Sequence, residues 1–481
     1  MTVQQLVVII NGHVAGVIAN EFNRPRFTYT DQYAHAEDTT ALSVSMPKQP
    51  GHTYGHHLVG PWLAGLLPED PRTRQQLAGQ YGVDRDDAAA LLAHVGRDCA
   101  GAVQVAGIDE LEDVLAGRGD LQDVTEAQIG ARIHQLHTQP QTWVPPGQGW
   151  SLSGRQPKFT LTRTGDRWAL PAGAAVSTHI VKPATWPAAL NEHLCQKTLA
   201  AIGLPTAATQ YCEFDGHPAI VTTRYDRTHH RTGTPLRIHQ EDLGQALSVW
   251  PHNKHPAGGG PAAVSIARLL ARHANQVDVD RFCDTLIARY LLGDADTHAK
   301  KYSLVLAADD AALAPLYAVS STLADPRPHR LALPIAGITR FGQISIRHIA
   351  RFAADCGTDP GRLIAAARTM AAQLPDAFTS AARAEPGVTA ASGFVRQLRD
   401  QIARHCASIE PAGRRRMQAP GLTVTAHASR IAEQGMIADA APSTAQFVFD
   451  GHELESRAPI RAGKRPGHFK DPGSTLHGLD P

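Results

Sequence analysis

The chain has 481 residues, 43% of them hydrophobic, enough for about two or three domains with cores of their own. Its 46 Lys and Arg against 45 Asp and Glu leave a net charge of +1, which excludes a global pull toward nucleic acid or a membrane surface. The 25 His form no HExxH pattern, and Cys99, Cys195, Cys212, Cys283, Cys356 and Cys406 lie far apart in mostly apolar runs, as reduced thiols of a cytosolic protein do.

The start, "MTVQQLVVIINGHVAG", carries no basic leader region, and no run is apolar over a spanning length. The expectation is a soluble, cytoplasmic protein without membrane contact. "QLVVIINGHVAGVIA" reads as a hairpin on the Asn11-Gly12 turn, "RFTYT" extends the sheet, and "ALSVSMP" is a further alternating strand. "HLVGPWLAGLLPEDPRTRQQLAGQYG" and "DRDDAAALLAHVG" carry helical periodicity, with Asp84 or Asp86 as caps. Residues 1–110 therefore form a β-rich α+β unit, and the more polar residues 111–146, ending in "TQPQTWVPPGQG", read as a linker.

A second unit opens with "GWSLSGRQPKFTLTRTGDRWALP", a hairpin entered through a Gly- and Ser-rich turn. "STHIVKP" reads as a strand, "ALNEHLCQKTLAAIGL" as a helix, and "ATQYCEF" with "PAIVTTRYDR" as a strand pair. Residues 147–235 make a small lobe, and residues 236–417 turn helical, with "AAVSIARLLARHA" and "DRFCDTLIARYLLG" as amphipathic stretches. Residues 418–481, rich in Pro, Gly, His and charge, read as a mostly disordered tail. A strand-rich lobe followed by a helical one is the order of an α+β, bilobal protein-kinase-like fold.

Phosphoryl transfer needs groups that hold nucleotide phosphates, cations that neutralise them, and a base for the attacking hydroxyl. Gly147, Gly149 and Gly154 surround Ser151 and Ser153, with Lys158 following. Such a turn serves either as a plain hairpin loop or as a source of backbone N–H groups for phosphate oxygens. Lys182 ends a strand, where its ammonium reaches phosphates or simply faces water, and Glu192 on the next helix is within pairing order. Asp296 and His298 follow a helix and precede the alternating residues 302–306, a place for a general base or for an ordinary turn carboxylate. "GGGPAAVS" at 258–265 lacks the Lys-Ser/Thr ending of a P-loop and reads as a loop before a helix. "GRRRM" at 413–417 and "RAGKRPGHFK" at 461–470 read as solvated basic surface.

Taken together, "LSVSMP", "LAGLLPED", "VGRDCAGAVQ", "SLSGRQPKF", "STHIVKP", "NEHLCQKTLAAIGL", "TTRYDR", "HQEDLGQAL", "GDADTHAKKYSL" and "LAPLYAVSSTLA" resemble the HipA-type serine/threonine kinases, toxins of bacterial type II toxin–antitoxin pairs. The resemblance covers most of residues 3–400 and implies ATP and Mg²⁺ as cofactors. Ser153, Gly154, Arg155, Gln156, Pro157 and Lys158 would form the phosphate loop, and Ser151 would be the autophosphorylation site. Lys182 would touch phosphates, and Thr223, Arg224 and Tyr225 would contact adenine and ribose. Asp296 would be the catalytic base, with His298, Lys300 and Tyr317 completing the ATP site. The implied partners are a HipB-like helix-turn-helix antitoxin, through which DNA is reached indirectly, and an aminoacyl-tRNA synthetase-like substrate.

Two positions break the family pattern. Lys301 stands where D-x-H-x-K-N has Asn, and Ala318 where Y-D has Asp, the two metal ligands. An ammonium and a methyl offer Mg²⁺ no oxygen. The alternatives are that Lys301 itself neutralises the phosphates, or that a neighbour such as Asp294 recruits the ion. Two functions are therefore expected: a HipA-like kinase acting on a translation-related protein, or a pseudokinase that binds an antitoxin or a nucleotide.

Overall fold

In the computed structural model, residues 4–145, 147–229, 235–308, 310–327, 329–386 and 392–409 are described. The expected tail at 418–481 and both basic clusters lie outside them. An antiparallel sheet opens the chain, in the spatial order Thr53–Tyr54, Arg26–Tyr29, His13–Asn20, Gln4–Ile10, Val103–Gly107. Asn11 and Gly12 both have positive φ, 50° and 77°, which matches the right-handed twist of the flanking strands and fixes Ile10 opposite His13. Alternation then sorts the first strand: Leu6, Val8 and Ile10 join the main core, while Val7 and Ile9 pack with Ala106 and Val114 on the other face.

Three expectations for this region change. "ALSVSMP" forms a turn with a single bridge, Ser43 to Met46, because the Ser43 hydroxyl accepts from the Ser45 N–H at 3.1 Å and Val44 N–H turns away to Glu241 at 2.9 Å. The cap of the helix Ala88–Val95 is Asp87, which accepts from Ala90 N–H, whereas Asp84 accepts from Asp86 N–H in the preceding turn. Residues 111–146 are no extended linker. Leu121–Val124 is the edge strand of a second sheet, and the helix Glu126–Thr138, closed by a Thr125/Gln128 capping box, buries Ile129, Ile133 and Leu136.

That second sheet runs Thr209–Phe214, His217–Thr223, His179–Pro183, Phe159–Thr164, Arg167–Pro171, Leu121–Val124, every neighbour antiparallel. Its buried face shares one hydrophobic cluster with the first region, through Trp143, Trp150, Phe159, Val181 and Val221. A second cluster joins the helix Trp186–Ala201 to the helices Gln276–Leu292, Ile346–Cys356, Pro360–Arg383 and Gly393–Ala407. The cores therefore do not part at residue 110. All six cysteines are free thiols, and only Cys212 is not fully buried. Among the described residues no helix is long and apolar enough to cross a membrane.

Candidate active site

The glycine- and serine-rich turn is held from outside. Ser151 N–H donates to Asp98 O at 3.0 Å, and the fully buried Ser151 hydroxyl donates to Leu66 O at 2.9 Å. Glu69 N–H donates to Gly154 O at 2.8 Å. Gly154 has φ 106°, and a Cβ there would lie 3.0 Å from Lys158 Nζ, so only glycine fits. The Lys158 ammonium donates to Ser153 O and Gln156 O, both at 2.8 Å, and lies 4.1 Å from the centre of the Trp143 ring. Burial, with Lys182 and Lys301 adding to it, pushes Lys158 well below the ordinary lysine range against the opposing Glu69. Arg155 and Gln156 are exposed and Pro157 is half-buried.

Strand His179–Pro183 delivers Lys182 to Glu192 on the following helix, Nζ to Oε1 2.6 Å, with both side chains largely buried. Its strand-lysine to helix-glutamate form is like that of the pair that protein kinases use. The Thr223–Tyr225 segment behaves differently from expectation at one residue. The Arg224 guanidinium is buried and engaged by Asp226, Ser177 Oγ and Cys99 O, so that side chain is not free for a further partner. Thr223 N–H donates to Ala208 O at 2.9 Å. Tyr225 stacks on Tyr317, ring centres 5.9 Å apart, and donates to Gln240 at 2.6 Å.

The helix Gln276–Leu292 stops at Gly293, whose φ of 85° turns the chain into the loop. Asp294 is buried there; one oxygen pairs with Arg289 at 2.6 Å and the other accepts from Asp296 N–H at 3.0 Å. Arg289 also donates to Tyr317 O at 2.9 Å, tying the loop to the strand end. Asp296 projects outward with its side chain 56% exposed. Its Oδ2 lies 3.1 Å from Lys301 Nζ and its Oδ1 3.4 Å from His298 Nε2. Partial burial would raise the Asp296 carboxyl, but the Lys301 ammonium outweighs it, and His298 adds to the pull, lowering the group to about 2. Burial, partly opposed by Asp296, keeps the His298 imidazole neutral. Lys301 Nζ also donates to Ala318 O at 3.3 Å.

Lys300 points the other way. It is buried, pairs with Asp242 and lies 3.8 Å from Glu69, which itself holds Lys254 at 2.6 Å. Lys300 thus ties the 294–301 loop to Asp242 and residue 69, and its ammonium is buried there. Tyr317 donates to Lys300 O at 2.9 Å, which braces the same loop. Glu69, Asp242 and Lys254 belong to this site, yet nothing in the sequence gave them a role. Glu69 and Asp242 do fall within "LAGLLPED" and "HQEDLGQAL", the signal that could have pointed to them.

Mg²⁺ requires oxygen ligands in near-octahedral geometry. Lys301 and Ala318 supply an ammonium and a methyl. Asp294 has both oxygens engaged, Glu192 holds Lys182, and Asp242 holds Lys300 while capping the helix Leu243–Ala246. Glu69 holds Lys254 and lies 3.8 Å from Lys300, and Asp296 already carries the Lys301 ammonium. These residues do not fit the ion, and Asp294 is not free to recruit it.

The family described as the HipA-like C-terminal domain matches residues 150–378, and the HipA N-terminal domain matches residues 6–106. Y4mE, a putative kinase of Sinorhizobium fredii, is 35% identical over 339 residues, spanning 68% of this chain and 79% of that protein. The serine/threonine-protein kinase toxin HipA of Shewanella oneidensis is 25% identical over 367 residues, 72% of this chain and 82% of that one. Among solved structures, a chain from the Shewanella oneidensis complex of HipA, HipB and operator DNA aligns with TM-score 0.73 at 21% identity, covering 83% of this chain and 96% of that chain. That alignment establishes a shared fold.

Proposed function

The chain belongs to the family of HipA-like kinases, and from that membership we propose a toxin-type protein that binds ATP but transfers phosphate poorly. The observation that carries this reading is the Lys301 ammonium, 3.1 Å from the Asp296 carboxylate and 3.3 Å from the Ala318 carbonyl. A carboxylate already paired with an ammonium, and lowered to about 2, is a weak acceptor for a hydroxyl proton. Because phosphoryl transfer rests on positioning and charge neutralisation, turnover falls by orders of magnitude. Residues 153–158 and Lys182 are the nucleotide-binding elements, together with Tyr225 and Tyr317, which stack on each other. The protein partner is a HipB-like helix-turn-helix antitoxin, and DNA is reached through it. The HipA chain solved with HipB and operator DNA supports that assignment.

A working kinase is the second reading, favoured by the formed Lys182–Glu192 pair and by an Asp296 side chain open to solvent. Autophosphorylation at Ser151 and an aminoacyl-tRNA synthetase-like substrate belong to it. Expression without any antitoxin separates the two. The attenuated reading expects little growth arrest from this chain and clear arrest from a Lys301→Asn/Ala318→Asp double variant. Strong arrest by the unaltered chain would favour the working kinase.

A further inference from the structure

We propose that this site takes its nucleotide as the metal-free polyphosphate anion, with the Lys301 ammonium serving as a cation built into the chain. The inference rests on the nucleotide-binding reading and adds to it the ionic form of the ligand.

Three observations converge on it. The ammonium is anchored at the two positions where the family pattern has its metal ligands nearby: it bonds the carbonyl of Ala318 itself, and it reaches the carboxylate of Asp296 from position 301. The remaining carboxylates around the site are committed to Arg289, Lys182, Lys254 and Lys300, so none is left to hold a second cation. Beside that geometry, Lys182 and Lys301 both lie close enough to Lys158 to push its ammonium down, so the surroundings of the 153–158 loop are rich in lysine. Lys182 and Lys301 keep Glu192 and Asp296 as partners, whereas the Lys158 ammonium is bonded to the backbone carbonyls of Ser153 and Gln156. A triphosphate is an anion of matching chemistry, because its oxygens accept hydrogen bonds from ammonium groups such as Lys301.

A Mg²⁺ ion arriving with the nucleotide would meet Lys301 instead of two oxygen ligands, and the repulsion works against its entry. Magnesium therefore competes with the protein for the phosphates. Free ATP should bind at least as tightly as its magnesium complex, the reverse of the expectation for a kinase that holds the ion with Asn and Asp.

The experiment is calorimetric titration of the full chain with ATP, once with excess Mg²⁺ and once with excess EDTA. The expected result is a Kd in EDTA equal to or below that in Mg²⁺, with Lys301→Met weakening the EDTA affinity roughly 10- to 100-fold, the loss of one charge-assisted phosphate contact. Circular dichroism of the Met variant, which keeps the side-chain length, checks that it is folded. In the Lys301→Asn/Ala318→Asp double variant, Mg²⁺ should instead tighten binding by about tenfold or more. Tightening by Mg²⁺ in the unaltered chain, or unchanged EDTA affinity in Lys301→Met, would overturn the tethered cation and leave ATP binding standing. Absence of ATP binding under both conditions would overturn the nucleotide reading itself, and this inference with it.

Discussion

Position 318 shows how a single residue keeps the backbone of a different one. Ala318 has φ 50°, the left-handed region that costs an alanine roughly 1–2 kcal/mol and that Asn, Asp and Gly enter readily. The family pattern places Asp here, so the chain conformation suits the missing side chain better than the present one. Ala318→Gly is expected to raise the thermal midpoint despite glycine's greater freedom in the unfolded chain, a net gain of about 0.5–1 kcal/mol. A lowered midpoint in a calorimetric scan would show that the strain is relieved elsewhere. Arg224 carries the opposite lesson. Its motif neighbours suggest a nucleotide contact, but its guanidinium closes a buried network with Asp226 and Asp98. Arg224→Met should therefore cost about 3–5 kcal/mol of stability by leaving carboxylates under-compensated. Unfolding in urea reads this directly, and a near-neutral effect would contradict the burial argument.

At the scale of elements, the loop proposed to hold phosphate is built by its neighbours. Residues 66–69 clasp it through Leu66 O and Glu69 N–H, and Asp98 O holds its entry at Ser151. Ser151 is fully buried in this clasp, and there is no room for a larger or charged side chain. Ser151→Glu is expected to free the loop and make residues 147–158 the first site of limited proteolysis, while Ser151→Ala leaves the cleavage pattern unchanged. Equal protection of the Glu variant would mean that the clasp does not fix the loop. The sequence made the loop, the Lys182 strand and the Asp296 turn legible because each interrupts a clear periodic run with chemically distinctive residues. It hid the direction of Lys300, because Asp242 lies 58 residues away and pairs with it only after the chain folds back. It also hid the helix Glu126–Thr138, whose three core residues sit in a mostly polar stretch that reads as linker.

Across the whole molecule, one buried carboxylate joins the two hydrophobic clusters. Glu241 accepts from Val44 N–H and Trp62 Nε1, 2.9 Å and 3.1 Å away. Burial, only partly opposed by those donors and Ser43, raises its carboxyl from 4.5 to about 7. A raised folded value means that its contribution to stability is complete below about pH 4.5 and is lost as pH climbs through 7, on the order of 3 kcal/mol. The half-buried His179 and the buried His239, lowered to about 4, act in the other direction between pH 4 and 6.5, so the difference between parent and Glu241→Gln isolates Glu241. That difference should grow in favour of the Gln variant as pH rises from about 5 to 8. A difference that does not change over this range would contradict the account. The overall α+β order of strands and helices followed from pattern alone. The sharing of one core by the first region and the second sheet did not, because it depends on tryptophans at 143 and 150 that meet both only in space.

The measurement that bears most directly on the central claim is transfer of labelled γ-phosphate from ATP to protein or water, with any labelled residue located by mass spectrometry, in this chain and in the Lys301→Asn/Ala318→Asp variant. The account predicts that the variant transfers phosphate at least about 100-fold faster, as two restored ligands and a released Asp296 imply. Transfer by the unaltered chain at the variant's rate would show that the Lys301–Asp296 pair does not restrain catalysis.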